Sequence, residues 1–128
     1  MRVITETTER TIETPTAVMA GLAAPSQGTA ELSTWRVRMT RGSNSPVHII
    51  DREQVWMPLR GTFEFTVDGE TSVVAAGEAL AVRSGATRQF RVGGAGTSEA
   101  EAIVCMAAGG QATVPGSDDA PQSLPWAL

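Results

Sequence analysis

The 128-residue chain carries 14 acidic and ten basic residues, a net charge of −4, and every basic residue is arginine. An acidic chain with no basic run lacks the electrostatic footprint of a nucleic-acid or anionic-lipid binder, and no stretch is apolar for long enough to span a bilayer as a helix. The single cysteine, Cys105, excludes an intramolecular disulfide and fits a reducing compartment.

Met1 to Arg10 is polar and acidic where a signal peptide would be basic and then apolar, so the expected location is cytoplasmic. Residues 1–15, rich in Thr and Glu, are expected to form a flexible arm. Thr16 to Ala24 reads as a short strand, its helical alternative weakened by Gly21 and Pro25. Glu31 to Thr40 places Trp35, Val37 and Met39 on one strand face and Arg36 and Arg38 on the other. The first face is expected to fill a core; the arginine stripe is expected to meet solvent or a second subunit.

After the loop Arg41 to Pro46, Val47 to Ile50 and Gln54 to Leu59 are strand candidates. Thr62 to Val67 alternates cleanly, and Asp68-Gly69 is a two-residue hairpin signal that pairs it with Glu70 to Ala75. Gly77-Glu78 and Ser84-Gly85 turn the chain into Ala79 to Val82 and Thr87 to Val92. Ala102 to Ala107 is the last apolar strand, with Cys105 expected as a buried, unreactive thiol. Residues 109–128 read as a loose tail in which Trp126 is free to dock on a partner subunit. Eight or nine short strands spaced by turns, with no helix of useful length, indicate an all-β sandwich or barrel over residues 16–108.

The block Gly42 to Gly61, GSNSPVHIIDREQVWMPLRG, resembles the first sequence motif of the cupin family: a glycine, His-x-His, a Glu or Gln, six residues and a closing glycine. His48 matches the first histidine, Ile50 the second, and Gln54 the Glu/Gln position. Gly77 to Arg88, GEALAVRSGATR, resembles the second motif, with Gly77 and Gly85 in place but Arg83 at the proline position and Arg88 at the histidine position. The chain is thus similar to a small single-domain member of the RmlC-like cupin superfamily with degenerate metal-binding motifs. The resemblance implies an all-β cupin jelly-roll barrel (a double-stranded β-helix). It also implies a homodimer formed by swapping an edge strand, here Thr16 to Ala24.

A cupin metal is held by neutral imidazoles and a carboxylate or amide oxygen at about 2.0–2.2 Å. The matching positions here hold one imidazole, an isoleucine, an amide and a guanidinium, which cannot act as a ligand. No metal and no cofactor is therefore expected. The residues at those positions and their neighbours along the strands, His48, Ile50, Gln54, Trp56 and Arg88, are expected to project inward, with Phe63, Phe65 and Phe90 lining the rest. A small organic guest suits such a cavity. Arg88 is expected to meet an oxyanion or carboxylate and His48 to move a proton near neutral pH.

The leading functional expectation is a metal-independent isomerase, cyclase or lyase acting on a carbonyl- or carboxylate-containing metabolite of natural-product type. Two alternatives stand beside it: a non-catalytic metabolite-binding or sensing cupin, and a metal-dependent cupin oxygenase or isomerase using other ligands. For each site residue the plain structural role stands alongside: His48 and Arg88 as buried, hydrogen-bonded groups, and the aromatics as core.

Overall fold

The structure, a computed structural model, describes residues 1–128 and builds two six-stranded antiparallel sheets. The strands are β1 (Thr11–Glu13), β2 (Val18–Gly21), β3 (Leu32–Thr40), β4 (His48–Ile50), β5 (Gln54–Arg60) and β6 (Thr62–Val67). They continue as β7 (Glu70–Ala75), β8 (Leu80–Val82), β9 (Thr87–Val92), β10 (Glu99–Ala107), β11 (Gln111–Thr113) and β12 (Gln122–Ser123). One sheet runs β1-β2-β3-β10-β5-β8 and the other β12-β11-β4-β9-β6-β7. This is the all-β architecture expected from the alternating strands, and the jelly-roll barrel that the family resemblance implies. No helix is long and apolar enough to cross a membrane.

Period-2 alternation sets which side chains enter the barrel. On β3, Ser33, Trp35, Val37 and Met39 are buried; Arg36 and Arg38 face outward. On β9 the inward set is Arg88, Phe90 and Val92, and on β5 it is Gln54, Trp56 and Pro58. The inner end of the barrel is a cluster of rings: Trp56 lies 5.6 Å from Phe63, 4.9 Å from Phe65 and 4.6 Å from Phe90 between centroids. The first two are edge-to-face and the third is tilted; aromatic pairs of this kind add about 0.5–1.5 kcal/mol each beyond their buried area.

Two turns need the left-handed backbone. Asp68 (φ 48°) and Gly69 (φ 82°) make the β6–β7 hairpin, and the Asp68 carboxylate then accepts the Thr87 N–H at 2.9 Å, joining this turn to β9. At Gly61 (φ 68°) an added Cβ would lie 2.3 Å from the Glu99 carbonyl oxygen, so only glycine lets β5 turn into β6 beside β10.

The termini differ from expectation. Residues 11–13, assigned to a flexible arm, pair with β2, and Glu6 bridges Arg36 and Arg38 on the outer face. The arginine stripe is therefore neutralised within the chain by Glu6 and by Glu101 on β10, whose carboxyls are both held below the usual range. For Glu6 the cause is chiefly the Arg38 hydrogen bond; for Glu101 the Arg36 and Arg60 bonds outweigh an opposing burial penalty. The segment Thr16 to Ala24, expected as a swapped edge strand, has β2 between β1 and β3 of its own chain, so β1 is the edge.

Residues 109–128 are not loose either. β11 pairs with β4 and β12, Leu124 and Ala127 are buried, and Ser33 Oγ donates to the Ala127 carbonyl at 2.7 Å. Gly21 permits this docking, since a Cβ there would stand 2.8 Å from the Trp126 carbonyl oxygen. A short-range polar composition disguised the segment; its apolar residues are few but reach the core. Cys105 is half-buried on the outward face of β10 rather than enclosed.

Candidate functional site

A cavity of about 460 Å³ occupies the outer end of the barrel, within the usual range for a small-molecule site. Its inner wall is Met19, Trp35, His48, Ile50, Gln54, Trp56 and Phe90. Its rim comes from both termini: Thr14 to Thr16 on one side, and Ala112 to Val114, Ser117, Asp119, Ala120, Gln122, Leu124 and Trp126 on the other. Strand alternation on β2, β3, β4, β5 and β9 brings the inner-wall residues together, and the docked C-terminal segment supplies one side of the rim.

His48 is the titratable group of the inner wall. Its Nδ1 lies 2.7 Å from the Pro46 carbonyl oxygen. A carbonyl only accepts, so Nδ1 carries the proton and Nε2 keeps its lone pair in the neutral ring. Burial lowers the His48 pKa below its ordinary 6.5, the Arg88 charge lowers it further, and the Pro46 hydrogen bond opposes both. The imidazole is neutral at pH 7. Its ring stands edge-on to Phe90, 6.0 Å between centroids.

Gln54 Oε1 is already saturated. It accepts from Trp56 Nε1 at 3.2 Å and from Arg88 Nη1 at 3.3 Å, which uses both lone pairs. Its Nε2 has only the Met106 thioether at 3.6 Å, a weak acceptor, so one of its two N–H bonds has no partner within the protein.

Arg88 lies behind this wall. It pairs with His48 across β4 and β9 and is 1% exposed, but it does not border the cavity. Its guanidinium folds back onto its own turn: Nε and Nη2 donate to the Ala86 carbonyl at 3.2 Å, and Nη2 also to the Arg83 carbonyl at 3.0 Å. No carboxylate touches it. Burial pushes its pKa down to about 10, with Asp68 opposing, and it remains a cation at neutral pH. A buried cation requires acceptors, and these carbonyls with Gln54 Oε1 supply them. The expected contact between Arg88 and a guest is thereby corrected to a contact with Gln54.

Phe63 and Phe65, expected as cavity lining, are likewise placed in the core, fully buried on β6 beneath the Trp56 ring. His48, Ile50, Gln54, Trp56 and Phe90 do border the cavity. Sequence reasoning missed Trp35, assigned to core filling, and Trp126, assigned to the tail. The signal available was that a chain with only three tryptophans places one in an otherwise small and polar C-terminal stretch.

The cupin fold raises the question of a metal, and the donor set answers it poorly. One imidazole faces an isoleucine, an amide oxygen with both lone pairs engaged, and a permanent cation behind the wall. No three His, Cys, Asp or Glu side chains come together anywhere in the molecule. These residues do not fit a tightly held divalent ion.

No curated protein matches the chain by sequence. Among solved structures it is similar to the polyketide cyclase RemF from Streptomyces resistomycificus, with TM-score 0.66, 18% identity, and 84% of this chain and 78% of that one covered. It is also similar to an RmlC-like cupin family protein from Methanocaldococcus jannaschii (0.65, 17%, 84% and 90%) and to KdgF from Halomonas sp. (0.65, 17%, 76% and 84%). At such identities the likeness concerns the double-stranded β-helix fold. The cupin domain model matches residues 35–106, more than half of the chain, and spans both the His48–Gln54 block and Arg88; the chain belongs to the cupin domain family.

Proposed function

We propose that the protein is a metal-independent acid/base enzyme, of isomerase, cyclase or lyase type, acting on a carbonyl-containing small molecule seated in the cavity. The observation that carries this reading is His48: a neutral imidazole with Nδ1 committed to Pro46, bordering an apolar cavity of guest size. Nε2 is the base. It takes a proton from carbon α to the substrate carbonyl, the electron pair of that C–H bond moving into the enolate, and the resulting imidazolium returns the proton at a second position. Gln54 Nε2 offers a hydrogen bond to the developing oxyanion. Arg88 acts through Gln54: by holding Oε1 it fixes which end of the amide faces the guest. The likeness to a structure described as a polyketide cyclase supports carbonyl chemistry as the class to test first.

The test is hydrogen–deuterium exchange. Protein dialysed against a chelator and incubated with 1-tetralone in D2O should exchange the ketone's α-hydrogens faster than buffer, and His48→Gln should abolish the excess. Exchange equal in the two proteins, or exchange that requires an added divalent ion, would remove His48 as the base. Binding of the ketone with no exchange at all would make the protein a receptor.

A further inference from the structure

Each sheet ends in two edge strands, and the four edges differ in length. β1 and β8 have three residues each and β12 has two; β7, Glu70–Ala75, has six. An edge strand presents a row of unpaired backbone groups, and proteins commonly blunt such rows with shortness, a bulge, Pro or Lys. β7 carries none of these. Its pairing with β6 runs without a register shift from Val67↔Glu70 to Thr62↔Ala75, and Glu70 is its one charged residue.

The alternation of the ladder fixes which groups are free. Ala76 N–H donates to the Gly61 carbonyl on the β6 side. Glu70, Ser72 and Val74, in step with Ala76, therefore bond to β6, while Thr71, Val73 and Ala75 turn their N–H and C=O groups outward along the edge. Ala75 is capped there: its N–H donates to Glu78 Oε1 at 2.9 Å, and its carbonyl accepts the Glu78 N–H at 3.0 Å. Thr71 and Val73 have no such cap, and both are exposed, Val73 by 56%.

We propose that β7 pairs antiparallel with β7 of a second copy of this chain, continuing the sheet across both protomers. The edge is self-complementary in one register. With Ser72 opposite the partner's Ser72, Thr71 faces the partner's Val73 and Val73 faces the partner's Thr71, so every free N–H and C=O of these residues finds a partner. Thr71 and Val73 then sit side by side on the outer face, a β-branched pair that favours strand pairing. The Glu78 cap stays in place, and Glu70 lies opposite the partner's Val74, so no like charges meet. The outer face beside the edge is neutral as well, because Glu64, opposite Val73 on β6, is paired with Arg91. A chain of net charge −4 thus meets its copy along an uncharged strip, which offers nothing to select a charged peptide instead. The two-fold pairing uses up the long edge of both copies, so the assembly closes as a dimer. The inference goes beyond the functional reading and does not depend on what the cavity holds.

Sedimentation velocity tests it. Wild-type protein should move from the chain mass towards twice that mass between about 0.01 and 0.5 mM, the range of a small, transient interface. Val73→Pro deletes the outward N–H without touching a bond to β6, a change that edge strands tolerate, and should stay monomeric throughout. Val73→Lys alters only an exposed side chain and should weaken dimerisation at least about fivefold, which keeps the inference testable where the proline variant fails to fold. Met57→Lys, on the exposed outer face of the other sheet, should leave the equilibrium within about twofold. A wild-type monomer at every concentration overturns the inference. So does a dimer that survives the folded Val73 variants, or one that is lost on Met57→Lys instead. A monomer that binds a blocked peptide of residues 70–75 also overturns self-pairing and makes the edge a site for foreign strands.

Discussion

The two ends of the barrel interior are built from similar residues and treat them differently. At the inner end, Phe63, Phe65 and Trp56 pack ring against ring, and the polar groups beside them, Gln54 Oε1 and the Arg88 guanidinium, meet partners within the protein. At the outer end, Trp35, Trp126 and His48 border an open cavity, and His48 Nδ1 is its ring's protein-bonded atom, held by the Pro46 carbonyl. The same residue types fill a ring-packed core at one end and wall an open space at the other. Burial alone does not separate the two: Arg88 and Trp35 are both almost fully enclosed.

That contrast can be broken from the inner end first. Phe65→Ala should lower the stability by about 3–5 kcal/mol, measured by urea unfolding, because the ring is fully enclosed and its neighbours cannot collapse into the void. Arg88→Met should cost about 3 kcal/mol, since the Arg83 and Ala86 carbonyls and Gln54 Oε1 each lose a buried donor. A near-neutral result would return Arg88 to the role of a guest-binding group. Leu124→Ala, at the boundary between core and cavity, should cost about 2 kcal/mol; a loose tail would give nothing.

The smallest effect is the pH dependence. Burial holds the His48 pKa below 6.5, so between the two values the unfolded chain binds more protons than the folded one. The stability from the neutral ring is complete above about 6.5 and declines as pH falls towards the folded pKa. Wild-type protein should therefore lose stability over that interval more steeply than His48→Gln. Losses from the Glu6 and Glu101 pairs follow only at lower pH, where those carboxylates take up protons.

Much of the fold is legible in the sequence because period-2 alternation and the Asp68-Gly69 turn are local signals. The glycine spacing around Gly61 and Gly85 carries the family. The mouth of the cavity is not legible in the same way. Ser33 meeting Ala127, and Gly21 meeting Trp126, join positions about a hundred residues apart whose local sequence is ordinary. Arg88 shows a second reason: alternation correctly turns it inward, but the carbonyls that capture it belong to a turn, and no residue pattern records where a turn's carbonyls point. A side chain's face can be read from spacing; its partner cannot.

The chain contains one histidine, so its ring Hε1 proton gives a single unambiguous NMR signal. Titration of chelator-treated protein should show His48 with a midpoint below 6.5, and addition of stoichiometric Zn2+ at pH 7 should leave the signal where it was. A midpoint at or above 6.5, or a shift that saturates at one equivalent of zinc, would contradict a neutral base in an organic site and make His48 a metal ligand.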